Sequence, residues 1–104
     1  MSLIVETPEP PYYAVIAPNE WSQDTSGYAE MAEQMLELAK NQEGFIGVEM
    51  GVQEGFALTV SYWESLEAIK RWRENSDHLG AKKLGKDKWF SQYKIRIAKV
   101  EREY

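Results

Sequence analysis

Phe45-Ile46-Gly47-Val48-Glu49-Met50-Gly51-Val52-Gln53-Glu54-Gly55-Phe56-Ala57-Leu58-Thr59-Val60-Ser61-Tyr62-Trp63 is the stretch that decides the fold. Both of its halves are rich in β-branched and aromatic residues. Ile46, Val48, Met50 and Val52 share one parity in the first half, and Phe56, Leu58, Val60 and Tyr62 share one in the second. A short break at Gln53-Glu54-Gly55 separates them. Two strands joined by three residues that include glycine make a β-hairpin.

The segments on either side of the hairpin have a different period. Upstream, Tyr28, Met31, Ala32, Met35, Leu38 and Ala39 recur at three- and four-residue steps, while Glu30, Glu33, Gln34, Glu37 and Lys40 fill the opposite side. This is an amphipathic helix with Asp24, Thr25 and Ser26 as cap candidates and Gly44 as its stop. Downstream, Ser65 caps a second helix, and Glu67 lies in its first turn, where the helix dipole favours an anion. Ala68, Ile69 and Trp72 form the apolar stripe of that helix. Tyr12 to Ala17 reads as a first strand that stops at Pro18-Asn19. Trp89 to about Arg102 reads as one long final strand. The order β-α-β-β-α-β is the ferredoxin-like split unit, an α+β fold with a four-stranded antiparallel sheet and both helices on one face. Residues 1–10 carry Pro8 and Pro10 and form an extended arm; 11–104 form a single domain.

Composition narrows the function. Seventeen acidic against twelve basic residues leave a net charge of -5, so neither nucleic acid nor an anionic membrane is an expected partner. Lys82, Lys83, Lys86 and Lys88 are a small local exception, read as a solvated face. The absence of cysteine removes disulfides, thiolate metal sites and a cysteine nucleophile, and a single histidine removes any two-His metal site within one chain. No metal and no cofactor is expected. No apolar run is long enough to span a bilayer, and the start does not read as a secretory signal, so a cytoplasmic location is expected.

A sheet covered on one face by helices should be polar on the other. Here both parities are apolar: Tyr12, Ala14 and Ile16 alternate with Tyr13, Val15 and Ala17, and Ala98 and Val100 oppose Ile95 and Ile97. A second copy packing sheet against sheet provides the cover. At about 25 cal/mol per Å², hiding several hundred Å² stabilises the pair by order 10 kcal/mol. A homodimer is therefore expected, with Arg96 facing the interface and pairing with a carboxylate.

The run Val60-Ser61-Tyr62-Trp63-Glu64-Ser65-Leu66-Glu67-Ala68-Ile69-Lys70-Arg71-Trp72-Arg73 resembles the antibiotic biosynthesis monooxygenase (ABM) family of dimeric α/β barrels. Gly44-Phe45-Ile46-Gly47-Val48-Glu49, His78 followed by Ala81, Gly85 before Trp89-Phe90, and the ending Tyr93 to Arg102 extend the likeness over roughly residues 12–104. That family includes cofactor-free quinone-forming monooxygenases, haem-degrading enzymes and proteins with no known activity, so the likeness fixes fold more than chemistry.

The resemblance implies that Trp72 lines a pocket between helices and sheet, where an indole stacks on a planar aromatic substrate; plain core filling is the competing reading. His78 has the pKa for proton transfer near neutrality, and deprotonating a phenol makes an anion electron-rich enough to reduce oxygen without metal or flavin. Its competing role is to fix a loop at a helix end. Tyr13, Trp63, Trp89 and Tyr93 are candidate walls and hydrogen-bond donors for a small aromatic ligand, with core or dimer packing the preferred reading of each. Haem-degrading members use an Asn on strand one, a Trp on helix two and a His about three turns later. Trp72 fits, but the His position falls near Lys82-Lys83 and Asn19 lies past the expected end of strand one, so haem degradation is not expected. A monooxygenase acting on a planar aromatic or quinol-type compound is the leading expectation. A non-catalytic dimer that binds a small hydrophobic ligand, or serves in stress, is the alternative.

Overall fold

The computed structural model describes residues 2–78 and 88–104, with side chains described throughout except at 76–78. The hairpin forms as read. Strand β2 (Phe45–Gln53) pairs antiparallel with β3 (Phe56–Trp63), and the turn is closed by Gly55 at φ +76. Around it lie β1 (Tyr12–Trp21), α1 (Tyr28–Lys40), α2 (Leu66–His78), β4 (Phe90–Tyr93) and β5 (Arg96–Val100). Two helices and five antiparallel strands, in the order β2-β3-β1 with β4 and β5 both on the far side of β1, make a ferredoxin-like α+β fold among the described residues.

The sequence expectation of four strands differs from this for one reason, Pro18. Strand β1 does not stop there; it runs on to Trp21 and pairs with β3 from Tyr13↔Trp63 to Glu20↔Phe56. The proline has no N–H to donate, yet its carbonyl still accepts from Lys94 N–H at 3.1 Å. The ladder with the final strand therefore loses one bond and is split into β4 and β5, although the register carries through from Tyr12↔Val100 and Ile16↔Arg96 to Asn19↔Tyr93. A second difference is a bulge between Phe45 and Gly47. The extra residue puts Phe45 and Val48 on one face, opposite Trp63 and Ser61, so simple alternation does not run through the start of β2.

The helices begin and end on local chemistry. Ser65 Oγ accepts from Ala68 N–H at 3.1 Å and caps α2 as expected. The expected side-chain cap of α1 is absent. Asp24 is occupied within the loop, accepting from Ser26 N–H at 3.0 Å and Ser26 O–H at 2.7 Å, and Gly27 takes the N-cap position at φ +83. Gly44 follows α1 at φ +92, and a Cβ there would stand 2.7 Å from Ala68 Cβ, so only glycine lets this turn approach α2.

The core lies between the helices and one sheet face. Val15 and Trp63 from the sheet meet Ala39 of α1 and Ala68 and Ile69 of α2, flanked by Tyr13, Phe45 and Trp72. The other face carries Tyr12, Ala14, Ile16, Leu58, Val60, Tyr62, Arg96 and Ala98 by strand alternation. Residues 2–10 cross one end of that face. Among the described residues, no helix is long and apolar enough to cross a membrane.

Candidate functional site

The cross-strand pairs on the helix-facing side of β1 and β3 run Tyr13–Trp63, Val15–Ser61, Ala17–Thr59 and Asn19–Ala57. Large rings stand at the first pair and small side chains fill the next three. At about 3.3 Å per residue, the small floor extends roughly 13 Å from Val15 to Asn19. The apolar stripe of α1, Met31, Met35 and Leu38, is half-buried.

Trp72 stands at the end of this floor with the large rings. Its ring lies 5.3 Å from that of Trp63, tilted by 35°, and Trp63 meets Phe45 edge-on at 5.3 Å. Trp63 is 0% exposed, and its indole N–H donates to Ser61 Oγ at 2.9 Å. Trp63 is thus a satisfied core residue. Trp72 differs: its Nε1–H is buried and has no hydrogen-bond partner among the described residues. A buried donor left unpaired costs about 1–3 kcal/mol, so this indole N–H gains from an acceptor brought beside it.

At the far end of the floor stands Asn19, which is 8% exposed and makes no side-chain hydrogen bond among the described residues. The sequence reading missed it, because it ended strand one at Pro18. The available signal was the parity of Ala17, Asn19 and Trp21, which continues across the proline. Asn19 therefore lies inside β1 on the helix side, opposite Tyr93. This corrects the expectation that strand one holds no asparagine. The position expected for a haem-branch histidine, Lys82-Lys83, lies outside the described residues.

The other expected site residues separate into two groups. Tyr13 packs against the buried cluster that holds Trp63, at the core end. Trp89 and Tyr93 belong to a second aromatic group. The Tyr28 ring meets Trp21 at 4.6 Å and Trp89 at 5.4 Å, and Phe90 meets Tyr93 at 5.8 Å. Trp89 is buried, and its N–H donates to Ser26 carbonyl at 2.8 Å, tying β4 to the loop before α1. Burial raises the Tyr28 phenol pKa above its ordinary value. His78 is the last residue of α2, and its side chain lies outside the described residues, as do Lys82, Lys83 and Lys86. No cluster of metal-ligating side chains occurs among the described residues.

A separate shallow cleft of about 130 Å³ opens on the other sheet face, lined by Pro18, Phe56, Glu20, Lys94 and Arg96 among others. Glu20 and Arg96 share its rim.

Residues 22–84 match the family described as antibiotic biosynthesis monooxygenase. The chain is 46% identical to the uncharacterized protein YqjZ of Bacillus subtilis (strain 168), over 99% of this chain and 91% of that protein. Its fold is similar to that of SnoaB, a cofactor-independent oxygenase from Streptomyces nogalater, with a TM-score of 0.74 at 7% identity over 90% of this chain and 97% of that one. It is equally similar to Rv0793 from Mycobacterium tuberculosis, with a TM-score of 0.74 at 14% identity over 88% and 97%. Fold, residue pattern and relatives agree, and the chain belongs to the antibiotic biosynthesis monooxygenase family.

Proposed function

We propose that this chain is a cofactor-independent monooxygenase that works as a homodimer on a small planar phenol or quinol. The single observation that carries the reading is the buried indole N–H of Trp72, which has no partner among the described residues. It needs an acceptor, and a phenolate or carbonyl oxygen of a flat ring stacked in the layer supplies one. Asn19 offers an amide at the other end of the floor, which suits a molecule with oxygens at opposite edges.

The chemistry follows from what an electron-rich ring does with oxygen. His78 takes the phenol proton, and the phenolate passes electrons to O₂. One oxygen atom bonds to the ring carbon para to the hydroxyl, that carbon loses its hydrogen, and the second oxygen atom leaves as water. A phenol plus O₂ thus gives a quinone plus water, with atoms and electrons balanced and no external reductant. Trp72 stabilises the developing negative oxygen by hydrogen bonding, an interaction worth more in a dry site than in water. SnoaB, described as a cofactor-independent oxygenase, supports the reading through its shared fold.

The dimer is inferred from the sheet face away from the helices. Leu58 is 37% exposed there, beside half-buried Ile16, Val60 and Phe56. An apolar β-layer of this kind is covered by a second copy in the arrangement the family commonly adopts. The cleft rimmed by Glu20 and Arg96 would then receive side chains of that copy.

An oxygen-electrode screen over mono- and dihydroxyaromatic compounds tests the enzyme. At least one compound should consume O₂ faster with protein than with buffer, and His78→Ala should slow that reaction by roughly 10²–10⁴-fold. If no compound does so, yet one quenches tryptophan fluorescence in the native chain and not in Trp72→Phe, the protein is a non-catalytic binder of aromatic ligands and the proposal fails.

A further inference from the structure

The residues ahead of β1 make specific contacts with the sheet face away from the helices. Val5 N–H donates to Glu49 Oε2 at 3.0 Å, and the same carboxylate accepts from Tyr62 O–H at 2.6 Å through Oε1. Two residues on, Thr7 O–H donates to Glu103 Oε1 at 2.6 Å, which also accepts from Tyr12 O–H at 2.5 Å. Between these pins the Val5 side chain lies on Gly47. A Cβ built on Gly47 would stand 2.5 Å from Val5 Cγ1 and 3.3 Å from Val5 Cβ, so the glycine makes a seat that any other residue would fill. The effect on burial is uneven. Tyr12 and Ala14 are buried on a face where Leu58 remains exposed.

We propose that residues 2–10 are a strap docked in cis on Gly47, sealing the Tyr12–Tyr62 end of the open sheet face and confining a second copy of the chain to the Ile16–Leu58 end. The second half rests on the dimer reading above; the first does not. Two carboxylates each hold one strap group and one sheet tyrosine, so the strap and the sheet end are fastened by the same two side chains, Glu49 and Glu103. Leu3 and Ile4 stay in solvent at 90% and 75% exposure, so Val5 is the apolar anchor.

The chain has no cysteine, so an engineered pair reports without background. Val5→Cys combined with Gly47→Cys places two Cβ atoms close to the roughly 3.5–4.5 Å separation that a disulfide requires. On mild oxidation the pair should close within one chain, running at single-chain mass on a denaturing, non-reducing gel. A band at twice that mass would mean the arm crosses to a partner and overturns the strap; because a Cβ at position 47 itself crowds the seat, an open pair overturns it when the amide exchange below also shows Val5 unprotected. In the unmodified chain, the Val5 amide should exchange with deuterium at least about tenfold more slowly than that of Leu3. Equal rates overturn the strap without any variant. Light scattering on the locked chain should still give twice the single-chain mass. If locking abolishes a dimer that the unlocked chain forms, the assignment of the second copy to the Ile16–Leu58 end is overturned. If the unlocked chain is itself monomeric, the dimer reading fails, and the cross-link alone decides the strap.

Discussion

At the residue scale, two tryptophans on one face carry opposite consequences. Trp63 is fully buried with its N–H bonded to Ser61, whereas Trp72 is packed with its N–H unbonded among the described residues. Trp63→Phe removes volume and a satisfied bond and should destabilise the fold by roughly 2–3 kcal/mol in urea titrations. Trp72→Phe removes a donor that had no partner, and the relief offsets the lost volume, so its change should stay within about 1 kcal/mol. The same variant should weaken binding of an aromatic ligand, which makes it a test of function separable from stability. Glycines divide in a similar way. Gly44→Ala meets both a left-handed backbone and Ala68 at 2.7 Å and should cost roughly 2–4 kcal/mol. Gly55→Ala at φ +76 meets open space and should cost only about 1 kcal/mol, the backbone part alone. Tyr62 gives a pH prediction. Desolvation, followed by its hydrogen bond to Glu49, pushes its phenol pKa up to about 12 from an ordinary 10. The folded state therefore holds this proton where the unfolded chain has released it. Stability from Tyr62 is fully present below pH 10 and falls as pH rises from 10 toward 12. Tyr62→Phe should flatten that part of a stability-against-pH curve and remove a late-titrating phenol from the tyrosinate absorbance of the folded chain.

At the element scale, the decisive piece is β1. A proline in a central strand removes one donor, and here the loss falls on the side facing the final strand, where Lys94 still reaches the Pro18 carbonyl. The pairing with β3 on the other side is uninterrupted, so the strand survives and delivers Asn19 to the helix face. Helix starts follow local chemistry in one case and not the other. Ser65→Ala should cost about 1 kcal/mol through loss of the α2 cap, read as a lower melting temperature. Ser26→Ala should leave the start of α1 nearly unchanged in stability, because Gly27, not Ser26, occupies the cap position.

At the scale of the whole molecule, an α+β layer with helices on one side leaves a β-layer whose exposed centre is apolar. If a second copy covers it, Leu58→Glu places a charge in the seam and should shift the light-scattering mass to that of a single chain without unfolding it. An unchanged mass with a charge at that position would show that the face is not an interface. The order of elements, the hairpin, the α2 cap and the two-faced apolar pattern of β1 were all legible in the residue string. Each depends on neighbours within a few positions, through period, turn chemistry and capping. The extent of β1, the division of the final strand and the bulge at Ile46 were not legible, because they depend on which partner strand supplies each hydrogen bond. The same holds for the site. That Trp72 faces inward follows from helical spacing, but that its N–H lacks an acceptor while Trp63 has one depends on Ser61, and that Asn19 shares its layer depends on register. Local propensity is written in adjacent residues; satisfaction of a buried polar group is set by what the fold brings beside it.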